Sequence, residues 1–160
     1  MRKVILHYHL FKNAGTSLDS AFKENFDGCE WVTQEFPGNP KENRDGVAQW
    51  ILDNPEAKIF SSHTAMLPPP KFETVKVFPV IFMRHPIDRI ASAYAFESKQ
   101  GGHGFGSVLA KNTDLSGYIE TRLALRHDRQ CRNFHVDRLA KMFNQNFGSE
   151  FERAQKALDV

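Results

Sequence analysis

The 160-residue sequence predicts an α/β domain with a mainly parallel central sheet flanked by helices. Short apolar runs typical of strands alternate with amphipathic helical patterns along the chain. The run Val77–Met83 is almost continuously apolar, which is typical of a parallel strand covered on both faces. Two matched segments, Val4–Leu18 and Val77–Tyr94, each pass from an apolar strand through a polar turn into an amphipathic helix.

The elements of the N-terminal part follow from apolar spacing. Apolar residues at helical spacing predict helices, and short apolar runs predict strands. Prolines and glycines mark loops, and Pro86 favours a helix start. The predicted elements are a strand at Val4–Leu10, a helix at Thr16–Phe26, a short strand at Glu30–Thr33, a loop at Phe36–Arg44, a helix at Asp45–Asp53, a strand at Lys58–Ser62, a loop at Met66–Lys71, the strand Val77–Met83 and a helix at Ile87–Lys99.

The C-terminal part is predicted to be helical after one long loop. Gln100–Thr113 is rich in glycine and has little apolar patterning, which predicts a mobile loop. Apolar spacing then predicts helices at Leu115–Leu125 and Val136–Asn146. Ser149 with Glu152 forms a capping-box pattern that opens a last helix, which ends with the chain.

Composition limits the class of protein. Residues 1–160 are long enough for one domain with a real core, and a formal charge of +2 is too weak to argue for nucleic-acid or membrane-surface binding. No apolar run is long enough to span a bilayer, and the first one lacks a cleavage site, so we expect no signal peptide. Cys29 and Cys131 lack metal-ligand spacing. They predict reduced thiols in a cytoplasmic protein, with a single disulfide as the alternative.

The turn after the first strand carries groups that bind phosphate or sulfate. Gly15 allows close backbone approach, and a helix starting just after it would present free N–H groups to an anion. The alternative is an ordinary capped turn with a surface lysine. The spacing of a Walker A motif is absent. The candidate residues are Lys12, Asn13, Ala14, Gly15, Thr16 and Ser17.

The second turn offers a guanidinium and a hydroxyl. Arg84 follows the apolar strand, at the usual ligand edge of an open α/β sheet. Ser92 lies about two turns into the next helix, so the pair could clamp one phosphate. Arg89 is interpreted instead as a surface or ion-pairing arginine, with Asp88 or Glu97 as its partner. Two such turns in one chain indicate a ligand with two separate anionic groups.

Together the two turns resemble sulfotransferases that use 3′-phosphoadenosine 5′-phosphosulfate (PAPS), in the style of carbohydrate and heparan-type enzymes, including bacterial members. Lys12–Ser17 resembles the loop that grips the 5′-phosphosulfate, written P-K-T-A-G-T-S, although Phe11 and Asn13 depart from it. Arg84–Ser92 resembles the 3′-phosphate signature within R-x-P-x-x-R-x-x-S-x-Y. The resemblance implies a P-loop-like three-layer fold and a nucleotide contact from Arg132. A solvated basic turn is the alternative for Arg132.

The resemblance also implies the reaction. A sulfuryl group would pass from PAPS to an acceptor hydroxyl, with a carbohydrate as the favoured acceptor and no metal required. Lys12 would stabilise the departing phosphate, and His63 would act as the base unless it is a capping or packing residue. His7 and His9 share one strand face and could ligate a metal, but no third ligand is evident in the sequence.

Two other functions stay open. A nucleotide kinase or NTPase is disfavoured because the Walker A spacing is missing and neither Lys58–Ser62 nor Val77–Met83 ends in an acidic residue for Mg²⁺. A catalytically inactive nucleotide-binding protein is the other alternative, and the C-terminal end of the sequence gives it some support. There Ser149–Val160 resembles a family helix that another strand and helix normally follow, which implies a C-terminally truncated domain. An oligomer in which a partner subunit covers an incomplete core would fit that interpretation.

Overall fold

The computed structural model describes residues 1–28, 30–143 and 147–159. Strands and helices alternate in its N-terminal part, except that the fourth strand follows the third without a helix between them, and helices alone follow in the C-terminal part. The strands are β1 (Arg2–Tyr8), β2 (Trp31–Thr33), β3 (Ile59–Ser62) and β4 (Val75–Val80). The helices are α1 (Gly15–Asn25), α2 (Pro40–Asp53), α3 (Pro86–Lys99), α4 (Phe105–Asn112), α5 (Leu115–Ala124), α6 (Phe134–Phe143) and α7 (Glu150–Leu158).

The described strands form one sheet in the order β2-β3-β1-β4, and every neighbouring pair is parallel. The predicted α/β class with a parallel sheet is therefore confirmed. In the register, His7 of β1 lies between Ser61 of β3 and Val80 of β4. The chain crosses from one side of β1 to the other between β3 and β4, which is the kind of switch point where open α/β sheets bind ligands.

The strand period places the two faces of β1 in different surroundings. Val4, Leu6 and Tyr8 alternate onto one face and belong to the main core. That core also contains residues of α2, α6 and α7, including Trp50, Ile51, Leu139, Ala140, Ala154 and Ala157. On the other face His7 lies edge-on to Phe22 of α1, so helices cover both sides of the sheet, in agreement with a three-layer arrangement.

The prediction that the Val77–Met83 strand is covered on both faces is wrong. β4 is an edge strand of the described sheet, it ends at Val80, and Phe78 is 38% exposed. Pro79 lies within it, and proline, which cannot donate a ladder hydrogen bond, is tolerated on an edge. Arg84 therefore lies in an irregular segment after the strand rather than directly at its end.

The predicted mobile loop Gln100–Thr113 is also wrong over most of its length, because α4 occupies it. Gly106 belongs to α4, and a Cβ atom there would lie 2.5 Å from Glu97 and from Arg122. This glycine thus allows close packing rather than flexibility. Ser107 and Ala110 bury the inner face of the helix.

Helix starts explain the remaining differences. α2 begins at Pro40, inside the predicted loop Phe36–Arg44, because the Asn39 side chain accepts hydrogen bonds from the first-turn amides and Pro40 favours the first helical position. The capping box of Ser149 and Glu152 is confirmed. The predicted end of the Val136–Asn146 helix lies outside the described residues, at 144–146. Among the described helices, none has both the length and the apolar character that a membrane span requires.

Candidate functional site

A cleft of about 450 Å³ opens at the carboxyl edge of the sheet. Residues that follow β1, β3 and β4 converge on it, as parallel strands place their carboxyl ends at one edge. The predicted residues that line it come from both anion-binding turns and from the segment after β3. The lining residues are His9, Phe11, Lys12, Ala14, Gly15, Thr16, Ser17, Asp19, His63, Arg84, Ser92 and Phe96.

The turn after β1 presents the start of α1 to the cleft. Lys12 and Ala14 adopt the left-handed conformation, with φ of 59° and 66°. Consecutive backbone N–H groups in such turns form concavities that favour anions. Ala14 is the N-cap of α1, no described side chain caps this end, and Thr16 and Ser17 are exposed beside it. The turn therefore offers free N–H groups and hydroxyls to a ligand.

Lys12 is held in place by an aromatic ring. Its Nζ lies 4.5 Å from the centre of the Phe96 ring on α3, an arrangement that stabilises a cation. Phe11 packs edge-on against the same ring, with 5.7 Å between ring centres. Phe11 stands where the resembling family has proline, and in this chain the turn is supported by aromatic packing instead.

Gly15 approaches a histidine rather than a ligand. A Cβ atom at this position would lie 1.9 Å from Nε2 of His9, so any larger residue would displace the imidazole. Gly15 is buried at the first position of α1. The glycine requirement thus comes from the close contact between α1 and β1, while the positive φ angles of the turn belong to Lys12 and Ala14.

Asn13 does not line the cleft. It is 1% exposed, and its Oδ1 accepts hydrogen bonds from the Arg84 backbone N–H at 2.8 Å and from His135 Nε2 at 2.7 Å. Its Nδ2 donates to the Phe11 carbonyl at 2.9 Å. The Asn13 side chain thus joins the two anion-binding turns and ties both to α6, and the contact of Asn13 with a cofactor stays a prediction.

Arg84 and Ser92 both reach the cleft, as their spacing predicts. The Arg84 side chain is exposed, while Ser92 is partly buried on the second turn of α3. Because the Arg84 backbone is held by Asn13, the guanidinium projects from a fixed point. The second turn thus adds a cation and a hydroxyl to the cleft that Lys12 also lines, and such groups can bind an anionic ligand.

Two other arginines lie elsewhere. Arg89 is 1% exposed, so its interpretation as a surface arginine is wrong. It donates to Gln130 Oε1 at 3.1 Å and to the Gln130 carbonyl, and Gln130 in turn reaches Glu97. Arg132 is not among the residues that line the cleft. Its side chain donates hydrogen bonds to the carbonyls of Leu123 and Arg126, at the C-terminal end of α5.

His63 stands at the mouth of the cleft with a defined tautomer. Its Nδ1 lies 3.0 Å from the His9 carbonyl oxygen, which can only accept, so Nδ1 carries the proton. In the neutral ring the free lone pair is then on Nε2. The ring centre is 4.0 Å from that of His9, and the side chain is exposed. This is the state that a general base requires.

Below the mouth, His7, His9 and Asp19 form a polar cluster between β1 and α1. Asp19 Oδ1 lies 3.7 Å from His7 Nδ1, and Oδ2 lies 3.3 Å from His9 Nδ1. Burial, followed by repulsion from His9, lowers the pKa of His7 to about 4. Burial also lowers the pKa of His9, with repulsion from His63 as the second cause. Both imidazoles are therefore neutral near pH 7.

This buried histidine predicts a pH dependence of stability. The folded pKa of His7 lies below its unfolded value of about 6.5. The unfolded chain therefore binds the extra proton first, and the free energy of unfolding should fall as pH drops from about 6.5 to about 4, then level off for this group. Urea unfolding in EDTA-containing buffer, compared with His7→Phe, measures it. An equal slope in the two proteins over this range would contradict the prediction.

Sequence reasoning missed Asp19 and Phe96, which both line the cleft. Each lies one turn after a predicted site residue, Asp19 four positions after Gly15 and Phe96 four positions after Ser92, so each shares a helix face with it. That spacing was the available signal.

Cys131 has a free thiol, whereas Cys29 lies outside the described residues.

The fold and the cleft define an α/β protein with cationic and hydroxyl groups at the carboxyl edge of a parallel sheet. No family model matches the chain. No solved structure matches it either. An uncharacterized protein of Archaeoglobus fulgidus is 44% identical over 153 residues, which cover 89% of this chain and 58% of that relative. The chain thus spans less than two thirds of the length of the relative.

Proposed function

We propose that this chain is a sulfotransferase that moves a sulfuryl group from PAPS to an acceptor hydroxyl, with a carbohydrate hydroxyl as the favoured acceptor. One observation carries the proposal. The turn at Lys12–Ser17 and the pair Arg84 and Ser92 open into one cleft of about 450 Å³, a volume suited to a small-molecule ligand. PAPS carries anionic groups at two positions, and the cleft offers anion-binding groups from two turns of the chain.

The binding roles follow from charge and position. The 5′-phosphosulfate would lie against Lys12 and the free N–H groups of α1. The 3′-phosphate would lie between the Arg84 guanidinium and the Ser92 hydroxyl. Asn13 keeps these two sets at a constant separation through its bond to the Arg84 backbone.

The chemical step needs positioning and charge stabilisation more than covalent help from the protein. The acceptor oxygen forms a bond to sulfur while the bond from sulfur to the bridging oxygen of the phosphate breaks. Negative charge grows on the departing phosphate, where Lys12 would stabilise it. His63 Nε2 would take the proton of the acceptor hydroxyl, since Nδ1 is already protonated toward the His9 carbonyl.

Two other functions make different predictions. A catalytically inactive binding protein would hold the nucleotide without transfer to any acceptor. A kinase or NTPase would depend on Mg²⁺, and Asp19 is a carboxylate in the cleft that could serve such an ion. We also propose that the protein is located in the cytoplasm.

Titration calorimetry with adenosine 3′,5′-bisphosphate and with ADP, both without magnesium, tests the proposal. We expect clear preference for the 3′-phosphorylated ligand. Arg84→Ala should weaken its binding by about 10- to 100-fold, because a charge-assisted contact to phosphate is lost. Arg126→Ala, an exposed arginine that does not line the cleft, is the matched control and should bind like the wild type.

Each outcome separates the candidates. Equal affinity for the two nucleotides, or wild-type affinity of Arg84→Ala, would contradict the PAPS pocket. ADP binding that appears only when the titration is repeated with Mg²⁺ would favour the kinase. Selective binding without transfer across a panel of hydroxyl-bearing carbohydrates would favour the inactive binding protein.

A further inference from the structure

The cluster under the cleft contains a set of metal-ligating atoms that the proposed transfer does not use. His7 near the end of β1 and His9 just after it stack their rings, and Asp19 projects from the second turn of α1. One ligand atom from each of the three residues lies within 4.8 Å of the other two. Asp19, which lies on α1, is thus the third ligand that is not evident in the sequence.

The distances are close to those around a bound ion. The two carboxylate oxygens of Asp19 face different imidazoles, at 3.7 Å from His7 Nδ1 and 3.3 Å from His9 Nδ1. Ligands with bonds of about 2.1 Å to one ion lie roughly 3 to 3.5 Å apart at tetrahedral or right angles. Both distances from the carboxylate are thus near that range, and all three ligand atoms lie within 4.8 Å of one another, so side-chain rotations would have to close the remaining gap around an ion.

We propose that His7, His9 and Asp19 bind one divalent transition-metal ion, with zinc as the representative. Two imidazole nitrogens and one carboxylate oxygen suit zinc, cobalt or iron, whereas magnesium prefers oxygen ligands throughout. His7 is buried, but His9 and Asp19 line the cleft. The remaining coordination positions therefore face the cleft, where water or an anionic oxygen of a ligand completes the shell.

Neighbouring groups support this arrangement. The Ser61 hydroxyl lies 2.9 Å from His7 Nδ1 and 3.3 Å from Asp19 Oδ1. When the ion takes the imidazole lone pair, this hydroxyl is still placed to donate to the carboxylate, as outer partners of metal ligands commonly do. Gly15 leaves the space that the His9 ring occupies. The site goes beyond the proposed sulfuryl transfer and does not depend on it.

Titration of the chelator-treated full chain with zinc, without nucleotide or acceptor, tests the proposal. We expect one zinc ion per chain with affinity tighter than micromolar. Asp19→Asn and His9→Gln, which keep side-chain size nearly constant, should each weaken binding by about 100-fold or more. His103→Gln, an exposed histidine outside the cluster, is the matched control and should bind zinc like the wild type.

Cobalt substitution supplies a readout that does not depend on the variants folding. The wild-type protein should give the visible absorption of cobalt bound by nitrogen and oxygen, with no thiolate band. A thiolate band would place the ion at a cysteine and overturn the proposal. It would also be overturned by absence of binding at micromolar zinc, or by Asp19→Asn and His9→Gln proteins that are folded by circular dichroism and bind zinc normally.

Discussion

Lys12→Ala should lower the turnover of sulfuryl transfer by about 10²- to 10³-fold, because one preorganised group that stabilises the departing oxygen is lost. The ammonium is preorganised by its position 4.5 Å from the Phe96 ring centre. Binding of adenosine 3′,5′-bisphosphate should fall much less, since the free N–H groups of α1 and the Arg84 side chain are retained. Single-turnover release of the bisphosphate from PAPS, with an acceptor identified in the carbohydrate panel, measures the effect.

The control for Lys12→Ala is Lys41→Ala. Lys41 is an exposed lysine whose ion pair with Asp45 lies on the surface of α2, so its removal should leave turnover unchanged. Phe96→Ala should fall between the two, because it frees the Lys12 side chain without removing the charge. Wild-type turnover in Lys12→Ala would show that Lys12 has no role in the reaction, which would contradict the central step of the proposed function.

The order of elements could be predicted because local periodicity survives in the fold. In β1, Val4, Leu6 and Tyr8 lie in the core, and the apolar run that contains them is visible in the sequence. The apolar pattern of a segment shows that it is a strand but not which strands lie beside it. For this reason the pattern of Val77–Met83 predicts a strand covered on both faces, although β4 lies at an edge. Pro79 was the available sign that the strand lies on an edge.

Glycine was the other source of error. In Gln100–Thr113 it was interpreted as flexibility, although Gly106 permits α4 to pack against Glu97 and Arg122. Whether a glycine loosens a loop or fits a tight contact depends on what lies opposite it. That information is tertiary, so composition alone could not distinguish the two.

The sequence was enough to predict that the two anion-binding turns meet at one edge of the sheet. It was not enough to predict which side chains lie together beneath the cleft. Both anion-binding turns follow parallel strands, so their meeting in one cleft follows from the fold class. Asp19 reaches His7 and His9 because of how α1 packs on β1, a geometry that spacing within one helix does not contain. Arg132 is the opposite case. Its segment resembles the sulfotransferase family, but its side chain donates to the carbonyls of Leu123 and Arg126 at the end of α5 and is not among the residues that line the cleft.

Asn13→Ala should destabilise the fold by about 3 kcal/mol, because several polar groups at a buried position lose their partners at once. The backbone N–H of Arg84 and Nε2 of His135 would both lose their acceptor, and the Phe11 carbonyl would lose its donor. Asn25→Ala is the control, since Asn25 is exposed and bonds only within α1, to the Ala21 carbonyl, among the described contacts. Its expected effect is within about 0.5 kcal/mol. Urea unfolding measures both values.

The same substitution should also weaken binding of adenosine 3′,5′-bisphosphate by about tenfold, although Asn13 does not line the cleft. Without the bond from Asn13 to the Arg84 backbone, the two anion-binding turns are no longer held at one separation, and the ligand must order them on binding. Calorimetry below the unfolding midpoint of the variant separates this effect from global unfolding. A folded Asn13→Ala protein with wild-type affinity would show that the turns keep their separation without this bond.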